Sequence, residues 1–264
     1  MQRPGSPGTA AASGAALPPD RAPAPILREK CPVLHEMFES RMVTDEDGIQ
    51  RELLYYVRPH FAEALYRTVL ARRPSLVVET GLASGVSTLA ILTALEEIGE
   101  QGRLISIDPF EAKDYQNCGL AAVRRAGLAD RHQHINRPSH LALPELLASN
   151  TRVDLAYIDG DHRVDFVLLD FWYLDRMLPV GGAIAFNDCQ MDSVNKVIKF
   201  LQIYRRYAEL DVGLPYSYVG YTRLRGLIRR LRRISAKSYF RNASDRYFVK
   251  QEDWDPRWDF FAPF

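Results

Sequence analysis

The chain has 264 residues, of which 47% are hydrophobic and 25% are charged, and this composition is typical of a folded globular protein with one main domain. Its formal net charge of +1 indicates no nucleic-acid or membrane partner, and we expect no nucleic acid to bind. No apolar run reaches the ~18–20 residues that a transmembrane helix requires, and the three cysteines are widely spaced, so we expect no transmembrane segment and a cytoplasmic location.

The first part of the chain divides into two segments by composition. Residues 1–25 are rich in Ala, Pro and Gly and are predicted to be disordered, because they contain too little apolar surface to offset the entropy of ordering the chain. Residues 26–72 are predicted to form a helical cap. Its apolar face recurs at steps of three and four residues, and comprises Leu53, Leu54, Val57, Phe61, Leu65 and Val69.

The middle of the chain alternates short apolar runs with helical patterns. The predicted strands are residues 75–79, 103–108, 133–136, 153–159 and 183–188. The predicted helices between and after them are residues 87–98, 118–127, 141–147, 164–178 and 193–207. This alternation predicts an α/β fold in which helices cover both faces of a parallel sheet. Ligands of such sheets bind beyond the carboxyl ends of the strands, so the functional residues should lie there.

Residues 213–264 are predicted to form a basic and aromatic C-terminal extension that completes the sheet with a strand over residues 247–250. The basic segment 223–237 is compatible with a packed amphipathic helix, or with contact to an anionic substrate or a lipid. The aromatic tail, residues 254–264, is too apolar to remain solvated. We expect it to pack on the core or across the interface of a homodimer.

A glycine-bearing turn, Glu79–Ser87, follows the first predicted strand. Gly81 permits a tight turn and close approach of a ligand to the backbone, and Gly85 leads into a helix N-terminus. The acidic Glu79 disfavours a dianion and favours a zwitterion with an ammonium group. Asp108, 29 residues after Glu79, ends the second strand, where a carboxylate can accept both hydroxyls of a ribose. A turn without a ligand and a capping aspartate remain the alternatives.

Polar residues also follow the fourth and fifth strands. Asp159, Asn187 and Asp188 supply oxygen atoms that could converge on a hard divalent cation such as Mg²⁺. We expect Asp159 to be catalytic. His162 is a candidate general base because its ordinary pKa lies near ~6.5, and a structural role as a loop cap is the alternative.

These motifs together resemble the class I S-adenosylmethionine (SAM)-dependent methyltransferases over roughly residues 51–207. The likeness is carried by residues 79–87, by Ser106-Ile107-Asp108-Pro109, by Tyr157-Ile158-Asp159-Gly160-Asp161-His162 and by Leu178-Pro179-Val180-Gly181-Gly182. The branch whose fourth strand ends in Asp-Gly-Asp-His includes small-molecule and sugar O-methyltransferases of bacterial natural-product pathways. The resemblance implies a Rossmann-like seven-stranded methyltransferase sheet, with a SAM-binding core over residues 73–212.

The resemblance also implies a role for each residue of the cofactor site. Gly81 and its neighbours Ala83 and Ser87 would line the methionine part of SAM, with Glu79 near its ammonium group. Asp108 would hold the ribose, Ser139 would lie near the adenine, and Asp159 would border the cofactor. Ala83 departs from the family pattern, in which glycine is frequent at this position. Magnesium-dependent members place an acid–acid–amide set at strand ends comparable to those of Asp159, Asn187 and Asp188.

The function that follows is SAM-dependent O-methylation of a small-molecule hydroxyl, assisted by Mg²⁺. The preferred acceptors are a sugar, a nucleoside or another natural-product intermediate of bacterial metabolism. Two alternatives stay open. One is a metal-independent methyltransferase that acts on a carboxylate or a nitrogen, and the other is a non-catalytic protein that binds SAM or a partner.

Overall fold

The structure is a computed structural model that describes residues 26–99, 101–214 and 245–264. The segment 1–25, predicted to be disordered, and the basic segment 223–237 lie outside the described residues. Within the described ranges, no helix combines the length and the apolar character that crossing a bilayer requires.

A seven-stranded mixed sheet forms the centre of the molecule, with the order β5-β4-β3-β6-β7-β9-β8. Its strands are β3 (Leu76–Thr80), β4 (Arg103–Ile107), β5 (His132–Ile135), β6 (Leu155–Ile158), β7 (Ala183–Phe186), β8 (Arg206–Leu210) and β9 (Arg246–Glu252). Strands β3 to β7 pair in parallel, and β9 pairs antiparallel with both β7 and β8. The predicted α/β class and seven-stranded sheet are therefore confirmed.

Helices bury both faces of this sheet. They are α1 (Ile26–Lys30), α2 (Pro32–Ser40), α3 (Pro59–Arg72), α4 (Val86–Ile98), α5 (Glu111–Asp114), α6 (Cys118–Arg125), α7 (Ser139–Ala148), α8 (Val164–Met177) and α9 (Asp192–Tyr204). One core joins α1 to α4 and α6 to the sheet face that carries Val77 and Tyr157. The other joins α7 to α9 to the face that carries Val78 and Ala156. Strands buried on both faces in this way read as continuous apolar runs, which is why the sequence located them.

The N-terminal cap is not a continuous helical region, and the predicted helical pattern is wrong for residues 42–58. Strands β1 (Met42–Thr44) and β2 (Gln50–Glu52) form an antiparallel hairpin in this part of the cap. The Asp45 carboxylate accepts the backbone N–H groups of residues 47 and 49, and Gly48 adopts a φ of 81°, so the turn is fixed locally. Helix α3 begins only at Pro59, since proline disfavours a helical conformation in the residue before it.

The end of the chain also differs from its prediction. The helix predicted over residues 193–207 ends at Tyr204, and the unpredicted edge strand β8 follows it. The aromatic tail packs on α9 of the same chain: the Phe264 ring lies 5.3 Å from that of Phe200, and the Ala262 carbonyl accepts a hydrogen bond from the Tyr204 hydroxyl. Trp258 remains exposed.

A buried ion-pair network joins α8 to the antiparallel edge of the sheet. The Asp175 carboxylate lies 2.8 Å from Arg205 Nε and 3.3 Å from Lys250 Nζ, and it accepts a hydrogen bond from the Tyr207 hydroxyl. Asp175 is 4% exposed, Arg205 is 7% exposed and Lys250 is 3% exposed. Loss of the carboxylate would leave two buried cations with fewer partners.

We therefore expect Asp175→Ala to lower the free energy of unfolding by about 3 kcal/mol, the lower end of the range for breaking a buried pair. Urea denaturation measures the change. Asp259→Ala removes the partner of the exposed Arg257 and should change stability by less than ~1 kcal/mol. Equal effects of the two substitutions would contradict this account.

Candidate functional site

A cavity of about 440 Å³ opens at the carboxyl ends of β3, β6 and β7. The residues predicted from the sequence that line it are Gly81, Ala83, Ser87, Asp159, His162, Asn187 and Asp188. Parallel strands end at one edge of the sheet, and the register explains the convergence. Thr80 is paired with Ile158, and Ile158 with Phe186. The residues that follow these strands therefore lie side by side in one row along the carboxyl edge of the sheet.

The turn after β3 approaches the turn after β6 very closely. A Cβ atom on Gly81 would overlap the Asp159 carbonyl oxygen, and the φ of Gly81 is +90°. Only glycine meets both conditions without strain. Ala83 has a φ of 47°, in the left-handed region, which gives a physical reason why glycine is favoured at this position and why alanine carries a modest conformational cost here.

Asp108 holds this turn in place. Its Oδ2 atom accepts the backbone N–H groups of Leu82 at 2.9 Å and of Ala83 at 3.2 Å, and its Oδ1 atom accepts that of Phe110 at 2.8 Å. Asp108 is buried and does not line the cavity. The contacts of this carboxylate therefore show its structural role. Its contact with a ribose stays a prediction, for which only Oδ1 has a free lone pair.

Glu79 is the next-to-last residue of β3 and is fully buried. Burial raises its pKa from 4.5 to about 7, and hydrogen bonds from Ser106 and Thr88 oppose the rise. Both hydroxyls donate to Oε1, whereas Oε2 has no hydrogen-bond partner among the described residues. Ser87, a residue of the cavity wall, also lowers the pKa of Glu79, so this buried carboxylate lies next to the cavity, where its acidic character fits a ligand that carries a positive charge.

Ser139 is the first residue of α7 and is only half-buried. It lies on the strand-end side of the sheet, after β5, but it is not part of the cavity wall. Its predicted place near an adenine stays a prediction.

Two carboxylates converge on the imidazole of His162. Its Nε2 atom lies 3.6 Å from Asp159 Oδ1 and 3.6 Å from Asp188 Oδ2, and it makes no hydrogen bond within the described part of the chain. Burial lowers the pKa of His162, but the Asp159 and Asp188 carboxylates outweigh burial and leave the pKa raised. Burial also raises the pKa of Asp159 to about 6, against the opposing effect of His162.

Asn187 belongs to a buried network that the sequence analysis did not find. Its Nδ2 atom donates to Asp245 Oδ1 at 2.9 Å and to the Tyr157 hydroxyl at 3.2 Å, and that hydroxyl donates to Asp245 Oδ2 at 2.7 Å. Asp245 is 3% exposed, and its burial raises its pKa well above the ordinary value. Asp245 directly precedes β9, whose antiparallel position beside β7 no local pattern in the sequence indicates.

The predicted metal ligands are suitable in type for a hard cation. Asp159 and Asp188 both lie beside His162 Nε2, and Asn187, whose amide carries an oxygen atom, lines the same cavity. In residues 26–99, 101–214 and 245–264, no group of three or more His, Cys, Asp or Glu side chains is arranged to hold a metal ion. The set therefore fits Mg²⁺ only with the amide oxygen of Asn187 as its third protein ligand.

Aromatic residues of the cap form the opposite wall of the cavity. Tyr55, which precedes α3, is 78% exposed and has a φ of 51°. Its ring lies 6.5 Å from that of Tyr115 in an edge-to-face arrangement, and both residues line the cavity with Arg58 and Met191. No motif in the sequence indicates these residues: Tyr55 and Arg58 lie in a segment with a predicted helical pattern, and Tyr115 and Met191 lie in connections outside the strand-end motifs.

Comparison with known proteins finds methyltransferases among the similar sequences and structures. Residues 78–189 match the family described as "Methyltransferase domain". An O-methyltransferase of Aspergillus hancockii, hkm8, is 33% identical over 157 residues, which are 60% of this chain and 59% of that protein. The chain thus spans less than two thirds of the length of this relative.

Solved structures show the same fold. A Podospora anserina methyltransferase, PaMTH1, described as bound to S-adenosylhomocysteine (SAH), superposes with a TM-score of 0.58 at 15% identity, over 86% of this chain and 93% of that chain. An O-methyltransferase of Bacillus cereus in complex with SAH gives a TM-score of 0.54 at 16% identity, over 72% of this chain and 84% of that chain. The sheet order, the glycine turn and the strand-end acids define a methyltransferase fold. The chain thus carries a match to a methyltransferase domain over residues 78–189, on the fold that these solved methyltransferases share.

The raised pKa of Glu79 makes stability depend on pH. An unfolded Glu79 loses its proton near 4.5, whereas the folded residue keeps it until about 7. The native state therefore binds more protons between these values, and its stability falls as the pH rises through them, by about 3 kcal/mol in total. In Glu79→Gln this contribution disappears, so the loss of unfolding free energy between pH 5 and pH 8 should be smaller than in the wild type.

Urea denaturation at pH 5, 6, 7 and 8 measures this difference without any ligand. At pH 5 the folded Glu79 is neutral, as the amide of the variant is, so the effect of the substitution on the folded state enters the comparison as a constant offset. Parallel pH profiles of the two proteins would contradict the assignment.

Proposed function

We propose that this protein transfers the methyl group of SAM to a hydroxyl oxygen of a small molecule. The observation that carries the proposal is the convergence of Asp159, Asp188 and His162 on one point beside the glycine turn. A carboxylate–imidazole cluster next to a cofactor loop suits removal of a proton from an acceptor hydroxyl. Two structures of similar fold hold SAH, and a relative is an O-methyltransferase; both support the same cofactor and reaction here.

In this proposal the residues around the glycine turn bind SAM. The methionine part of SAM contacts Gly81, Ala83 and Ser87, and the charge of its ammonium group is balanced by Glu79. Asp108 accepts hydrogen bonds from the ribose, and Ser139 lies near the adenine. SAM supplies an activated methyl group when it is bound. The chain contributes alignment of the acceptor oxygen and exclusion of water, which together account for much of the acceleration of such transfers.

His162 is proposed as the general base, with Asp159 as the residue that orients it. A raised pKa makes the imidazole a stronger base than a free histidine. Asp159 and Asp188 stabilise the imidazolium that forms when His162 takes the hydroxyl proton, because each carboxylate lies 3.6 Å from Nε2.

Mg²⁺ is proposed as an assisting cofactor held by Asp159, Asn187 and Asp188. When bound, it would lower the pKa of the acceptor hydroxyl and fix the orientation of the acceptor. The position of His162 between the two carboxylates favours a second candidate, a metal-independent reaction in which the imidazolium already balances their charge. Full activity in excess chelator would select that candidate, which includes methylation of a carboxylate or a nitrogen.

The acceptor is proposed to be a sugar, a nucleoside or another natural-product intermediate of bacterial origin, which binds between the glycine turn and the tyrosines of the cap. Tyr55 and Tyr115 offer ring faces to an apolar or planar part of such a molecule.

We further propose a homodimer through the exposed Trp258. We also propose a reducing compartment such as the cytoplasm, since Cys31, Cys118 and Cys189 are free.

Calorimetric titration with SAM and with SAH, each with and without Mg²⁺, tests the cofactor site. Asp108→Ala should weaken binding by about 1–3 kcal/mol, the scale of charged hydrogen bonds, because the turn loses the carboxylate that holds it. Asp154→Ala is the matched control: Asp154 accepts the backbone N–H groups of Ser75 and Leu76 at the opposite end of β3. The absence of binding to the wild type in every condition would refute the proposed function.

His162→Gln should lower the turnover of a methylated acceptor by about 10²–10⁴-fold, the contribution expected of a general base, and should leave the affinity for SAH unchanged. A panel of hydroxylated acceptors with labelled SAM provides the measurement. His35→Gln, on the exposed side of α2, is the control. If the two substitutions affect turnover equally, His162 is a loop cap and not the base.

A further inference from the structure

We propose that Asp245 is a positioning residue of this site, which holds the Asn187 amide with its carbonyl oxygen towards the cavity and its NH₂ group towards the core. The orientation of the amide is inferred from hydrogen bonding alone. The role of that oxygen as a ligand of a divalent cation, together with Asp159 and Asp188, rests on the function proposed above.

The three side chains form a closed hydrogen-bonded ring. Asn187 Nδ2 donates to Asp245 Oδ1 at 2.9 Å and to the Tyr157 hydroxyl oxygen at 3.2 Å, and Tyr157 donates its own proton to Asp245 Oδ2 at 2.7 Å. Tyr157 is fully buried, and Asn187 is 7% exposed. Asn187 nevertheless lines the cavity, so one end of its amide faces the core and the other faces the cavity.

When Asp245 is ionised, the chemistry of the two partners permits only one orientation of the Asn187 amide. An ionised carboxylate accepts hydrogen bonds and cannot donate, and a tyrosine hydroxyl has a single proton. Because Tyr157 gives that proton to Asp245, both groups that face the Asn187 amide can only accept. An inverted amide would place Oδ1 against two acceptors, whereas the observed orientation satisfies both protons of the NH₂ group. No hydrogen bond within the described residues engages Oδ1 itself.

Burial of the Asp245 carboxylate costs free energy that no ion pair among the described residues offsets. No basic side chain of the described residues pairs with it, in contrast to Asp175, which contacts Arg205 and Lys250. A buried acid without a cationic partner is destabilising relative to an apolar residue. We attribute the presence of Asp245 to its effect on the site. An oriented Asn187 amide presents the negative end of its dipole next to two carboxylates, which is the arrangement that a cation requires.

The orientation can be measured directly by NMR on the full chain labelled with ¹⁵N-asparagine. The sequence has six asparagines, and Asn187→Ala identifies the signal of interest by its loss. In the wild type we expect the Asn187 NH₂ protons to exchange with water at least about tenfold more slowly than those of the exposed Asn150, the effect of a hydrogen bond worth about 1.4 kcal/mol. In Asp245→Leu, which replaces the acceptor with an apolar side chain, this protection should be lost.

Asp245→Asn provides a second variant if the leucine variant fails to fold. An amide at residue 245 can either accept or donate, so both orientations of Asn187 become possible and protection should be intermediate. Asp175→Asn is the matched control, since it makes the same change at a buried aspartate that bonds a tyrosine hydroxyl away from the cavity. Rapid exchange of the Asn187 amide in the wild type, or unchanged protection in both Asp245 variants, would overturn the proposal.

The effect of Asp245 on the site is measured as the affinity for Mn²⁺, with the affinity for SAH as the internal standard. Replacing a residue that orients a ligand lowers metal affinity by about 10- to 100-fold, so Asp245→Asn should lose Mn²⁺ affinity by this factor while its affinity for SAH stays within about twofold. Equal Mn²⁺ affinity in Asp245→Asn and wild type would contradict the positioning role. If the wild type binds neither SAH nor Mn²⁺, the proposed function fails, and the exchange measurement still decides the orientation.

Discussion

The site depends on one constraint of the sheet, which is that β3, β4, β6 and β7 run in parallel and end at the same edge. Backbone pairing continues one step beyond the strands, since the N–H groups of Asp159 and Asn187 donate to the carbonyls of Thr80 and Ile158. Side chains that follow separate strands, far apart in the chain, therefore enter one row. The antiparallel strand β9 adds Asp245 to that row, because its residue 246 is paired with Phe186.

This row concentrates acidic groups in a region that water reaches poorly. Burial raises the pKa of Glu79 to about 7 and that of Asp159 to about 6, and it raises that of Asp245 still further above its ordinary value. Each of these shifts reports a charged form that the fold stabilises incompletely. A ligand with a cationic group, or a divalent cation, recovers part of that energy when it binds. The destabilised acids thus provide a physical reason for affinity, and they separate the site from the Asp175 network, where arginine and lysine already balance the charge.

Local signals in the sequence were sufficient for the parallel strands of the sheet and for the side of the cavity wall that lies at the strand ends. Runs buried on both faces reveal β3, β6 and β7, and a strand end followed by glycine or acids reveals Gly81, Asp159 and Asp188. The hairpin at residues 42–52 escaped because the apolar residues after it, Leu53 and Val57, happen to match a helical step. Asp245 escaped for a different reason, since its place in the site follows from the pairing of β9 with β7, a contact between residues about 60 apart.

The same distinction between local and distant contacts explains why the cofactor side is easier to infer than the acceptor side. Asp108 and the glycine turn lie within one strand–turn–helix unit and its neighbouring strand, so their geometry follows from a short stretch of chain. The acceptor side is assembled from the cap at Tyr55, the loop at Tyr115 and the segment at Met191, which the fold brings together from three places. A change in any of these alters the shape of the cavity without disturbing the sheet. Under the proposed function, acceptor choice can therefore change while the fold is kept, and the acceptor must be identified from the cavity itself, not from the fold.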